Sequence, residues 1–145
     1  FIYHTHGTVV PAFIRIAGKL AEGAIAPSGP SAVVEELPDS FATKAPGLRF
    51  VRAYEAKYGP GGRTPFAAHV YDVAELLRHA VPAAMKVAKP GTKAFRSALR
   101  ASLEKLKNVA ASQGVYSYSA TDHNGLDDRA RVLLIVKDGK WQLLK

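Results

Sequence analysis

Three clusters in this 145-residue chain bring together side chains able to do chemistry. The first is His4-Thr5-His6, in which alternation along an extended segment puts both imidazoles on one side. Two histidines are too few to hold a metal without further ligands, and no HExxH helix accompanies them. The expectation is one histidine beside a ligand and the other packed or solvated. The second cluster is His69, Tyr71 and Asp72. No nucleophile stands beside them, so they read as packing or helix-face residues rather than as an acid-base set. The third is Asp122-His123-Asn124-Gly125 with Asp127 and Asp128. It lacks the alternating oxygen ligands and the closing glutamate of a calcium loop and has the composition of a turn. The glycines of AEGAIAPSGP follow neither GxGxxG nor GxxxxGK spacing, which argues against a phosphate cradle. No cofactor is expected.

The elements that position these residues follow from periodicity and punctuation. Phe1 to Tyr3 reads as a short buried strand ending in the turn Thr5-His6-Gly7. A helix follows, with Thr8 as its cap, Phe13 and Ile16 on one face and Gly18 as its stop. Gly23 to Ala26 reads as a second strand, broken by Pro27 to Pro30. A helix from about Thr43 to Tyr58 would bury Leu48, Val51, Tyr54 and Tyr58. Gly59 ends it, Thr64 caps the next helix and Pro65 takes its first position. That helix is apolar around much of its circumference as far as about Lys89, which predicts packing on several sides. A third helix starts at Thr92 with Phe95, Leu99, Leu103 and Leu106 on its apolar face. Val115 to Tyr118 is extended, and Val132 to Val136 pairs through Asp138-Gly139 with Trp141 to Leu144. The order is α/β but poor in strands for a complete doubly wound domain.

Composition narrows the partners. The chain has 48% hydrophobic residues, no cysteine and a net charge of +8. Disulfides and thiol chemistry are thereby excluded. The basic balance favours small carboxylates, acidic lipid or nucleic acid, but Lys and Arg are scattered singly along the helices, so no nucleic-acid surface is expected. The only methionine is Met85. A processed or truncated piece of a longer protein is the expectation.

The run FVRAYEAKYGPGGRTPFAAHVYD, Phe50 to Asp72, resembles the periplasmic substrate-binding proteins of branched-chain amino-acid type ABC transporters. So do Gly18 to Pro30, Ala88 to Glu104 and Gly114 to Leu144, in the same order. The resemblance is to the C-terminal portion of the two-lobed type I periplasmic-binding fold. It implies that residues 1–22 and 114–145 belong to the C-terminal lobe and that 23–113 supply a crossing segment and helices of the N-terminal lobe. It also implies a solute receptor, not an enzyme, located in the periplasm and partnered by the permease subunits of an importer. A cytoplasmic ligand-sensing regulator is the alternative. Where amino-acid-binding members carry an acidic residue before the glycine of the first turn, this chain has His6 before Gly7. That departure points to an organic acid, aromatic acids included, beside the branched-chain amino acids. Phe66 matches an aromatic residue lining the family cleft, and Thr5 is a lesser neighbour. The open strand edges of such a fragment lead to the expectation of a dimer or swapped assembly.

Overall fold

The computed structural model describes residues 2–145. Strands β1 (Ile2–Tyr3), β2 (Ala24–Ser28), β5 (Val132–Lys137) and β6 (Lys140–Leu143) form one sheet in the order β1-β2-β5-β6, with β1 parallel to β2 and the remaining pairs antiparallel. Helix α1 (Pro11–Ala17) lies between β1 and β2 in the chain. Helices α2 (Lys44–Tyr58), α3 (Pro65–Met85) and α4 (Lys93–Leu103) lie between β2 and a two-residue hairpin of β3 (Val109–Ala110) and β4 (Val115–Tyr116). The architecture is mixed α/β. Among the described residues no helix is long and apolar enough to cross a membrane.

Strand β1 is exposed rather than buried, because it lies at the edge of the sheet with β2 as its single neighbour. Phe1, the first residue of the expected strand, lies outside the described residues. Thr8 does not cap α1. Its hydroxyl and amide both donate to the Thr5 carbonyl, at 2.9 and 3.1 Å, closing a 3-10 turn at His6–Thr8. Helix α1 starts at Pro11 and ends on Gly18, whose φ of +54° suits a residue without a Cβ. Its inward residues are Phe13, Ile14 and Ala17, and Ile16 faces solvent. Strand β2 runs two residues past the expected break. Pro27 fits there because β1 reaches only as far as Ile25, so its missing N–H costs that ladder nothing.

Helix α2 buries Gly47, Phe50 and Val51, and Leu48 and Tyr54 of the expected stripe pack against the same core, while Tyr58 is 64% exposed. Helix α3 ends at Met85, four residues before the expected Lys89. It is not packed on several sides. Ala68, Asp72, Leu76, Ala80 and Ala84 form a single buried line at a spacing of four, and Phe66, Val70 and Val73 are exposed. Three small residues in that line let neighbouring segments approach closely. Thr64 caps α3 by accepting the Ala67 amide at 3.2 Å, and Thr92 caps α4 by accepting that of Phe95 at 3.1 Å, as their positions predict. The terminal hairpin turns at Asp138 and Gly139, with φ of +53° and +69°, the left-handed pair that a two-residue hairpin needs.

Candidate functional site

Phe66 reaches the site because the segment before it is tied down. Arg63 donates to both carboxylate oxygens of Glu35, at 2.6 and 2.7 Å, and lies 3.4 Å from Glu55. The Tyr54 hydroxyl donates to the Gly62 carbonyl at 3.3 Å. Burial works to raise the Glu35 carboxyl, but the Arg63 hydrogen bonds and the charges of Arg63 and Lys44 outweigh it and hold the group below its ordinary value. The Pro65 carbonyl accepts from Gln113 Nε2 at 2.9 Å. These bonds fix where α3 begins, so the ring of Phe66 projects from a set position.

Opposite it, the turn after β1 supplies His6. Its ring meets that of Phe66 edge-on at 5.6 Å between centroids and that of His69 at 5.8 Å. His69 lies three residues beyond Phe66, on the same helix face. Burial, and then the neighbouring His69, hold the His6 imidazole below its ordinary value of 6.5. His4 does not share this side. It meets Phe13 edge-on at 5.0 Å, and Phe13 in turn stacks on Trp141 at 5.7 Å. The separation arises because the extended segment ends at Tyr3, so alternation no longer governs His6. Thr5 is exposed in the same turn and uses its carbonyl to hold Thr8.

A cavity of about 450 Å³ opens beside these residues, lined by Val9, Val10, Ser31, Arg63, Thr64, Pro65 and Trp141 among others. A second, of about 340 Å³, is lined by Leu76 and Leu77 of α3, Arg100 and Leu103 of α4, and Glu104 and His123. His6, Phe66 and Thr5 line neither; Phe66 adjoins the first through Thr64 and Pro65.

Asp72 has a structural part. Its Oδ1 accepts from the Ser112 amide and hydroxyl at 2.7 and 2.6 Å, and its Oδ2 from the Gln113 amide at 2.8 Å and the Tyr116 hydroxyl at 3.1 Å. Burial, with the Asp72 charge and hydrogen bond, pushes the Tyr116 hydroxyl well above its ordinary value. Gln113 extends the network to Ser31, whose hydroxyl donates to its Oε1 at 2.8 Å. In the acidic turn, Asp122 Oδ1 accepts the amides of Asn124 and Gly125, while Asp127 and Asp128 pair with Arg129 and Arg131. Sequence reasoning missed His69 as a partner of His6, and it missed Gln113 altogether.

The whole chain superimposes on protein Rp1789 of Rhodopseudomonas palustris strain CGA009 with a TM-score of 0.95 and 55% identity, covering 41% of that chain. An extracellular ligand-binding receptor from Rhodopseudomonas palustris HaA2 matches equally well, with a TM-score of 0.95, 52% identity, all of this chain and 41% of that one. This chain belongs to the family of extracellular ligand-binding receptors with the type I periplasmic-binding fold. A leucine-binding protein, LivK, from Thermotoga maritima shares the fold at 22% identity, with a TM-score of 0.67 over 99% of this chain and 36% of its own. No family model matches the sequence, and no curated protein does. The chain spans about two fifths of the length of the receptors it matches, so it represents part of the two-lobed fold.

Proposed function

We propose that the chain is part of a periplasmic solute receptor that captures a small organic acid, or a branched-chain amino acid, in a cleft between two lobes. In this reading residues 1–22 and 114–145 belong to one lobe, and residues 23–113 supply a crossing segment and helices of the other. The captured solute is delivered to the permease subunits of an ABC importer. No chemical step is needed; shape, hydrogen bonds and exclusion of water provide the affinity.

The observation that carries the reading is the convergence of His6 and Phe66 from the β1 turn and the start of α3. A neutral imidazole donates one hydrogen bond and a protonated one donates two, which suits a carboxylate, whereas neither form offers the fixed negative charge that an ammonium group requires. Phe66 is 49% exposed, leaving a ring face free to pack on an apolar or aromatic ligand body. Thr5 adds a hydroxyl in the same turn. The names of the relatives, an extracellular ligand-binding receptor and a leucine-binding protein, support the class. Thermal-shift screening of the full-length protein against aromatic acids, aliphatic acids and amino acids tests it, because a ligand that binds the folded state raises its melting temperature. A shift with acids is expected, and no shift with any of the three classes overturns the reading.

A further inference from the structure

His69 faces His6 at 5.8 Å with the rings at 70°, and each ring comes from a different element. Among the described residues neither imidazole has a carboxylate within ion-pair distance; the histidine paired with an acid is His123, whose Nε2 lies 3.2 Å from Glu104. Arg63, just before α3, is occupied by Glu35 and Glu55, and Arg78 within α3 lies 3.5 Å from Glu75. Within the β1 turn the neighbours of His6 are Thr5 and Gly7, which carry no charge. From α3 it is faced by Phe66 and His69, and His69 is the one titratable side chain of that element facing it. His4 is turned away toward Phe13. Protonation of either imidazole therefore opposes protonation of the other, and nothing in the described protein relieves the opposition.

An anion accepting hydrogen bonds from both rings would relieve it. We propose that His6 and His69 together grip the carboxylate of the bound solute, and that binding draws a proton from solvent onto the pair. The inference rests on the receptor reading above and adds to it a further binding residue and a coupling to pH. The charge balance is simple: one carboxylate enters, one proton follows it from bulk water onto an imidazole, and an imidazolium-carboxylate contact results. Burial and the neighbouring His69 lower the proton affinity of His6 in the empty site, and a carboxylate placed beside it favours the charged form. By linkage, affinity for the anion rises as pH falls. Phe66, on the same face of α3 as His69, would meet the body of the solute whose carboxylate the imidazoles hold.

The test is titration calorimetry of the full-length receptor with benzoate and with 3-methylbutanoate, at pH 6 and pH 8, in buffers of different ionisation enthalpy. Leucine serves as the amino-acid control. The expected result is proton uptake on binding of an acid and an affinity about tenfold higher at pH 6. His69→Gln, which keeps a hydrogen-bond donor but cannot take up the proton, should lose both the uptake and most of the pH dependence while its thermal unfolding stays close to wild type. Acid binding that is independent of pH and buffer, or a His69→Gln protein with unchanged pH dependence, overturns the inference and leaves the receptor reading intact. Binding of leucine with neither acid overturns it too. Binding of none of the three removes the receptor reading, and the inference with it.

Discussion

Gln113 Nε2 donates to the carbonyl of Pro65 at 2.9 Å, so a residue far along the chain sets the backbone immediately before Phe66. The same side chain accepts from Ser31 through Oε1, and its amide is held by Asp72. Three stretches, around residues 29–31, 65–72 and 112–113, are thereby joined through one fully buried glutamine. The position of the candidate site depends on that junction.

Replacing Asp72 should be costly. Asp72→Ala strands the Ser112 and Gln113 amides and the Tyr116 hydroxyl in a buried environment, and an unsatisfied buried donor costs about 1–3 kcal/mol. A total loss of about 3 kcal/mol or more is expected in urea unfolding. Tyr116→Phe removes one donor cleanly and should cost about 1.5 kcal/mol. Equal costs for the two variants would show that Asp72 is not the centre of the network.

Gly29 has an ordinary φ of −70°, so its reason for being glycine is space. A Cβ there would stand 2.1 Å from Gln113 Oε1, and the glutamine cannot move aside without giving up Ser31 and Pro65. Gly29→Ala should destabilise by about 1–3 kcal/mol. In a Gln113→Ala background the same change should cost far less, since the clash and the bonds disappear together. Strict additivity in that double-mutant cycle would refute the account of the junction.

Much of this was legible in the sequence, and the exceptions have physical causes. Thr64-Pro65 and Thr92 mark helix starts because a hydroxyl cap and a proline in the first turn are local chemistry, independent of what packs nearby. The Asp138-Gly139 turn is equally local. On α2 the stripe Leu48, Val51 and Tyr54 faces the core, and Tyr58 departs from it because its ring, apolar enough to complete the stripe, is left exposed at the helix end. The resemblance points to His6 and Phe66, and their rings meet, whereas the sequence alone reads His69 as a helix-face residue. Its role depends on which helix face meets the β1 turn, and that is a tertiary fact. Gln113 carried no signal, since a lone glutamine in a polar loop resembles any solvated residue.

Stability should depend on pH through His6 and Glu35. The unfolded His6 takes up a proton near its ordinary pKa of 6.5, whereas the folded group resists it, so the unfolded state binds more protons just below that value. Its contribution is full above about pH 6.5 and is lost as pH falls through the lowered folded pKa. Glu35, also lowered, adds a second loss below about pH 4.5, its unfolded value. Urea midpoints measured from about pH 8 to about pH 3 should fall in two stages, and His6→Gln should abolish the upper one. An upper stage that persists in His6→Gln would assign it elsewhere.

The isolated 145-residue chain should associate. Strand β1 is an open edge with Ile2 and Tyr3 exposed, and α3 leaves Phe66, Val70 and Val73 uncovered. Light scattering across a concentration series should report a dimer or larger species. A monomer at every concentration would mean that these surfaces are tolerated in water.

The central claim is that His6 contacts the carboxylate of a bound solute, and the most direct measurement compares dissociation constants of the wild-type full-length protein and His6→Ala for the acid giving the largest thermal shift. Loss of a hydrogen bond to a charged group, worth about 1.5–3 kcal/mol, should weaken binding by about tenfold or more. An unchanged dissociation constant would contradict the assignment of His6 to the site.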